Sequence, residues 1–510
     1  MGETQQKVTI IGAGIGGLAA ALRLAHAGLR VTVLERHATP GGKMRTLPTN
    51  AGPVDAGPTV LTMKSVFDSL FADVGERLVD HVTMLPEHIL ARHFWRDGTR
   101  FDLTADTEAN VASVRHIFGN DAARAFTNFT ADAQMLFDAF DTPMMRSAAP
   151  SQADLTRRVL QNPALIPRMA PHRSMFGALN KRFKEPRLAQ LFARYATYVG
   201  GLPAQSPAIL NLVSAAEAQG VWHVEGGMHA LAVAIESLAS KFGAKFYYGA
   251  DVQRIEMQDG RVNKVRAADA VFDTDLVLFN GDPRALVQGR LGPLGETAVP
   301  KTATEPRSLS ACVASFAAVP DGLPLAGHNV LFADDPAQEY LPLANGNMQT
   351  DPTLYICAQD RFGGRVPNGP ERFEIIMNAA PAPDGTMPDP KENERCQSLI
   401  SERLRRMGLT FSPIPTAKHM TTPAMFDQLF PASNGSLYGR SPHGLMAAFK
   451  RPTARTEVKG LYLVGGGAHP GAGVPMATLS AQHAAAAILS DLSSTSTFPL
   501  GVMRGGMSTA

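Results

Sequence analysis

Val8-Thr9-Ile10-Ile11-Gly12-Ala13-Gly14-Ile15-Gly16-Gly17 decides the fold of this 510-residue chain. An apolar run ends in a glycine turn, and an alanine-rich helix beginning near Ile15 follows. Gly12, Gly14 and Gly17 make the G-x-G-x-x-G fingerprint of a dinucleotide site. The first glycine permits the sharp turn, the second lets the backbone approach a pyrophosphate, and the third lets helix and strand pack closely. Phosphate charge sits favourably against the free N–H groups at such a helix start. Ala13 and Gly16 belong to the same loop.

A second apolar run, Leu29 to Leu34, ends in Glu35, at the spacing of about twenty residues where an acid hydrogen-bonds ribose hydroxyls. Arg36 follows it. Gly41-Gly42-Lys43 then places a flexible pair and a cation near the phosphates, and Asp55-Ala56-Gly57-Pro58 is a turn.

At the far end, Leu461 to Val464 forms an apolar strand that runs into Gly465-Gly466-Gly467-Ala468-His469-Pro470-Gly471. A helix begins near Pro475-Met476. Only small residues let a flat ring and its phosphates come so close to backbone. Both ends of the chain are therefore expected to build one site.

Between the ends, Ser65 to about Val74 reads as a helix. Ala91–Trp95 and Arg100–Leu103 flank an Asp97-Gly98 hairpin signal. Residues 107–220 read as mainly helical, with Phe126, Phe129, Phe137 and Phe140 at core spacing. After Gly226-Gly227 comes a helix from Met228 to about Lys241. The strands Lys245–Tyr248, Val252–Ile255 and Val262–Val265 follow, and then a buried parallel strand, Leu276–Phe279, ending at Asn280-Gly281-Asp282-Pro283. The strand order of residues 300–455 is not legible.

The charged fraction of 18% and a net charge of +2 give no reason to expect nucleic acid. The three cysteines, Cys312, Cys357 and Cys396, lack metal-ligand spacing and read as buried thiols of a reducing compartment. No secretory leader and no 18-residue apolar span are visible, so the expected location is cytoplasmic. From Arg146 to Arg194, ten Lys or Arg face only Asp154 and Glu185, with Leu165, Ile166 and Met169 interleaved. Such a segment suits an anionic lipid surface.

The order of the glycine fingerprint, Glu35, Gly41-Gly42-Lys43 and Asp55-x-Gly57-Pro58 resembles the FAD-dependent amine oxidase and carotenoid desaturase superfamily. His469-Pro470-Gly471-Ala472-Gly473-Val474-Pro475, Gly220-Val221-Trp222 with Gly226-Gly227-Met228, and Asn280-x-Asp282-Pro283 resemble its carotenoid desaturases from about residue 7 to 490. Gly281 stands where many relatives carry Ala. Within the family, the runs Asp55–Met63, Phe279–Pro283 and Gly465–His469 are most similar to the 1-hydroxycarotenoid 3,4-desaturases (methoxyneurosporene dehydrogenases).

The resemblance implies an α/β Rossmann-type FAD-binding domain of the glutathione reductase-like kind. It also implies an α+β substrate domain and a helical, membrane-facing subdomain. FAD-binding parts are expected at 1–90, 221–295 and 456–490. The helical region is expected at 91–220, the substrate sheet at 296–455 and a flexible tail at 491–510. The expected cofactor contacts are Gly12, Ala13, Gly14, Gly16, Gly17, Glu35, Arg36, Gly42, Lys43, Asp55, Gly57, Pro58, Val252, Asn280, Asp282, Gly466, Gly467, Pro475 and Met476. Val252 is included only because the resemblance places its backbone at adenine. The resemblance further implies a carotenoid substrate, peripheral membrane association, and oxygen or a quinone as electron acceptor. No acid–base pair stands out, and His223 and His469 read as loop-positioning residues. Three alternatives stay open: a phytoene or neurosporene desaturase, another oxidase of amines or porphyrinogens, and a non-catalytic prenyl-protein carrier of the Rab-escort type. The intact Gly465–Gly467 run argues against the carrier.

Overall fold

The computed structural model describes residues 5–268 and 270–495. Its centre is a parallel sheet in the order Leu461–Leu463, Leu276–Phe279, Lys7–Ile11, Arg30–Glu35, Lys245–Tyr248. Three parts of the chain, hundreds of residues apart, thus contribute adjacent strands. Ile11 pairs with Leu34 on one side and Phe279 on the other, and Phe279 with Leu463, so the three strand ends and their turns lie side by side.

The helix Ile15–His26 packs on this sheet with Met228–Lys241 and Val474–Thr495. Its Ala19, Ala20 and Ala21 are fully buried. Three helices can crowd one sheet face only because these side chains are so small. A three-stranded antiparallel sheet, Val252–Gln258, Arg261–Ala267 and Ala270–Asp273, lies beside it.

The second large layer is an eight-stranded sheet from Ser310–Asp321, His328–Leu331, Leu354–Ala358, Glu371–Ala379, Thr410–Ser412 and Met420–Thr421, with Ile89–Phe94 and Arg100–Thr104. The last two strands are the Asp97-Gly98 hairpin. Grouped by sequence with the helical region, it pairs instead with His328–Leu331. A hairpin needs an edge to bury its apolar face, and the nearest open edge belongs to the substrate sheet.

The helices of 107–218 pack on that sheet through Phe126, Phe129, Phe183 and Phe192, with the Phe129 and Phe192 centroids 4.1 Å apart. Among the described residues no helix is long and apolar enough to cross a membrane.

Two expectations need correction. Cys312 and Cys396 meet as a pair, Cα atoms 6.3 Å apart across a sequence separation of 84, while Cys357 is a free buried thiol. The final helix continues to Thr495, where a flexible tail from 491 was expected; residues 496–510 of that tail lie outside the described residues.

The basic stretch is also less naked than its composition suggests. Arg146 pairs with Asp141, Arg168 and Arg182 with Asp132, Arg187 with Asp97 and Glu185, Arg157 with Asp154, and Arg194 with Glu217. Most of these carboxylates come from outside the stretch, so a local charge count misses them.

Candidate cofactor and substrate site

The two glycine-rich ends meet. A Cβ on Gly16 would lie 2.7 Å from the Cα of Gly465, and one on Gly42 would lie 3.0 Å from the Cα of Gly14. Gly14 and Gly41 form a parallel bridge, and the Gly41 N–H donates to Ala13 O at 2.8 Å. The first bond within the helix is Leu18 N–H to Gly14 O, so the N–H groups of residues 15–17 precede the helical ladder.

Asn280 joins these pieces. Its Nδ2 donates to Gly12 O at 3.0 Å and Gly14 O at 3.2 Å, while its other side faces Gly465. One amide thereby ties the Leu276–Phe279 strand end to the turn after Lys7–Ile11, with the Gly465 turn packed against it.

Glu35 is buried at the tip of its strand. Its carboxylate accepts the Ala13 N–H at 2.7 Å and the His37 N–H at 2.9 Å. It therefore shapes the glycine loop as well as offering oxygens to a ribose. Arg36 lies 3.5 Å from Asp251, next to Val252, which starts its strand close to Glu35 because Ala250 N–H donates to Glu35 O.

Cations gather where Lys43 meets the C-terminal glycines. Lys43 Nζ donates to Leu437 O at 2.7 Å. Burial brings its pKa down to about 8, with Asp282 opposing the shift and Arg307 and Arg451 adding to it. Arg451 is lowered to about 10, chiefly by burial and then by Arg440 and Arg307. Asp282 accepts Arg307 Nη2 at 2.5 Å, and Arg451 donates to Gly466 O at 3.0 Å. A Cβ on Gly467 would overlap the Pro283 ring. Three cations around one carboxylate leave an unbalanced positive field that a diphosphate would offset.

Asp55 reaches the start of the helix Met228–Lys241. Its Oδ2 accepts the Met228 N–H at 2.7 Å, so it caps a helix whose own N-cap, Gly227, has no side chain. Burial raises its pKa, and these backbone bonds oppose the rise. Gln359 clamps the Asp55 backbone from both sides, at 3.0 and 2.9 Å. Gly57 presses on Lys43 O so tightly that no Cβ fits, which holds the Gly57-Pro58 turn against the Gly41-Gly42-Lys43 loop. Pro475 and Met476 open the last helix, and Met476 packs with Met63 and Val66 beneath the same cleft. His469 donates to Ser147 O at 2.8 Å, consistent with a positioning role.

Sequence reading missed Arg307, Arg451 and Glu374, because nothing local marks them. Glu374 is fully buried and neither carboxyl oxygen has a hydrogen-bond partner among the described residues. Burial pushes its pKa well above the carboxylate range; Asp55 adds to this and Arg45 opposes it. An acid with a raised folded pKa binds more protons in the native state than in the unfolded state. Stability is then highest below the unfolded value near 4.5 and falls as pH rises toward the folded value, by about 1.4 kcal/mol per unit. Glu374→Gln is expected to flatten that slope and to gain stability relative to wild type from pH 5 to pH 8. Urea unfolding at both pH values measures it, and parallel slopes for the two proteins would refute it.

The sequence profile of the flavin containing amine oxidoreductases matches residues 15–489. A hydroxyneurosporene desaturase of Cereibacter sphaeroides is 53% identical over 497 residues, covering 97% of this chain and 100% of that protein. The chain belongs to the flavin-containing amine oxidoreductase family, in its carotenoid desaturase branch. Other members of the branch are a hydroxyneurosporene desaturase of Rubrivivax gelatinosus, 42% identical over 99% of this chain and 97% of that one, and a 1-hydroxycarotenoid 3,4-desaturase of a Flavobacterium species, 28% identical over 94% and 98%. The family fold is seen in a putrescine oxidase structure, TM-score 0.59 at 16% identity, covering 95% of this chain and 99% of that one. A cyclohexylamine oxidase of Brevibacterium oxydans has a TM-score of 0.56 at 17% identity, over 96% and 99%. As in the rest of this family, the enzyme is an oxidoreductase and its cofactor is FAD. The residues present fit that group: a glycine cradle without side chains, a carboxylate at the second strand tip, and an excess of buried cations.

Proposed function

We propose that this enzyme is a 1-hydroxycarotenoid 3,4-desaturase, which introduces a C=C bond next to the hydroxylated end of an acyclic carotenoid such as 1-hydroxyneurosporene. The observation that carries the reading is 53% identity, end to end, to a hydroxyneurosporene desaturase. Its glycine cleft belongs to an enzyme that retains its flavin site. We assign the diphosphate to Gly12–Gly17, Gly42 and Lys43, the ribose to Glu35, and the adenine edge to Arg36 and Val252. Asn280, Asp282, Gly466, Gly467, Pro475 and Met476 are assigned to the flavin side, with Gly57 and Pro58 facing them.

Desaturation removes a hydride and a proton from neighbouring carbons. FAD, when bound, supplies the two-electron acceptor for the hydride. The chain's own task is to orient the polyene, exclude water, and hold the cofactor's charge on Lys43, Arg307 and Arg451. Oxygen or a quinone would serve as the final electron acceptor.

Expression in cells that accumulate 1-hydroxyneurosporene, neurosporene or phytoene tests this. A red-shifted pigment formed predominantly from the hydroxylated substrate, with at most slow conversion of neurosporene, is the expected result. Conversion of phytoene alone would assign the enzyme to the earlier desaturation steps instead.

The substrate dissolves in bilayers, and the helical region offers a place to meet one. Arg158, Arg173, Lys181 and Lys184 have no carboxylate partner among the described residues. Leu160 is 70% exposed and Ile166 41%. Peripheral docking through this face predicts pelleting with anionic liposomes that weakens as salt rises. Equal partition onto neutral and anionic liposomes would refute the electrostatic part.

A further inference from the structure

Between the Gly57-Pro58 turn and the large sheet lies a set of buried polar side chains that holding a cofactor does not explain. Thr59 Oγ1 bonds Tyr355 Oη at 2.8 Å, and Tyr355 Oη bonds His328 Nδ1 at 2.7 Å. His223 Nδ1 bonds the Glu87 carboxylate, which also takes the Gly363 N–H at 3.1 Å. Both imidazoles pack on Phe362, with centroid distances of 5.1 Å for His223 and 5.0 Å for His328. His223 is 5% exposed and His328 1%. The Nε2 atoms of both are buried without a partner among the described residues.

Orphaned buried polar atoms cost free energy, so a pair of them on one aromatic ring calls for a partner. The Glu87 carboxylate can only accept, so His223 Nδ1 carries a proton. His328 Nδ1 shares a hydrogen bond with Tyr355 Oη, in which the tautomer decides the donor. Burial lowers the His328 pKa to about 4, which keeps the ring neutral. A hydroxyl both donates and accepts, so it suits such a pair of open imidazole nitrogens.

We propose that His223 and His328 seat the terminal hydroxyl of the substrate and so select 1-hydroxylated polyenes over their hydrocarbon precursors. This rests on the 3,4-desaturase reading above. In that reaction the hydroxyl carbon lies two bonds from the reacting carbons, so its seat must adjoin the flavin site. Thr59 is two residues from Gly57, and Leu61 bridges to Trp222 beside His223. A site built to hydrogen-bond a substrate hydroxyl strongly rejects the analogue without it, whereas a purely apolar tunnel barely distinguishes the two.

The test compares kcat/KM for 1-hydroxyneurosporene and neurosporene in the holoenzyme and in His328→Phe, His328→Gln and Tyr355→Phe. His328→Phe is expected to lower the preference for the hydroxylated substrate at least about tenfold, chiefly through a higher KM for that substrate, with flavin content retained. His328→Gln, which restores a hydrogen-bonding group, is expected to recover much of that preference. Tyr355→Phe breaks the bond to His328 Nδ1 with little change in volume and should give a smaller loss in the same direction. A preference unchanged in all three variants, or both substrates falling in parallel, overturns the proposal while leaving the 3,4-desaturase reading intact. A wild-type enzyme with no preference for the hydroxylated substrate overturns both.

Discussion

Gly17→Ala is expected to give protein that purifies almost free of flavin. The added methyl would overlap the carbonyl oxygen of Gly12, which the first turn cannot move without breaking strand pairing, and would lie 2.8 Å from Asn280 Nδ2. The helix Ile15–His26 cannot retreat, because its other face is filled by fully buried alanines. Overpacking of this kind costs about 1–3 kcal/mol in an ordinary core. Here the displaced groups are also the ones that face the diphosphate, so the loss falls on binding as well as on stability. A drop in FAD affinity of about 100-fold or more is expected, equivalent to nearly 3 kcal/mol. The ratio of flavin to protein absorbance after gel filtration, followed by titration with FAD, measures it. Stoichiometric flavin in the variant would mean that the third glycine does not set the helix-to-strand distance.

Asn280→Asp should be worse than Asn280→Ala, although it changes fewer atoms. The amide donates to Gly12 O and Gly14 O at 3.0 and 3.2 Å. Alanine removes both bonds and leaves the Gly12 carbonyl oxygen without its Asn280 donor, at about 1–3 kcal/mol where it is dry, while Gly14 O keeps the Leu18 N–H. Aspartate removes them too and turns a carboxylate against the same oxygens, next to a bound diphosphate. An uncompensated buried charge costs about 3–5 kcal/mol. The order of stability and flavin content is therefore expected to be wild type, then Ala, then Asp. The Asp variant should recover in part near pH 5, where its side chain can protonate and donate again. Thermal unfolding and flavin content at pH 5 and pH 8 check both points, and an Asp variant more stable than the Ala variant at pH 8 would sink the argument.

Most of the nucleotide-binding layer was legible because its signals are local. A glycine at Gly12, with φ of 101°, reports a backbone shape that side chains resist. Glu35 at the strand tip, the small-residue helix after Gly17 and the Gly465–Gly467 run each carry their reason within about ten residues. The eight-stranded sheet was not legible in the same way. Its order joins Ile89–Phe94 to His328–Leu331, more than two hundred residues away, and no short-range pattern encodes such pairing. Asp55 shows the intermediate case: its motif placed it correctly in the turn, but the helix it caps begins at Met228.

By itself, the sequence determined the parallel sheet, its two glycine-rich turns and the cofactor class, since backbone conformation and close approach to phosphate depend on neighbouring residues. Only the tertiary structure decided that Asn280 ties its own strand end to the Gly12–Gly14 turn, that Cys312 meets Cys396, that Asp132 pairs with Arg168 and Arg182, and that His223 and His328 each leave one ring nitrogen open beside Phe362. Hydrogen bonds and ion pairs act over a few ångströms of space, and folding brings those ångströms together from opposite ends of the chain.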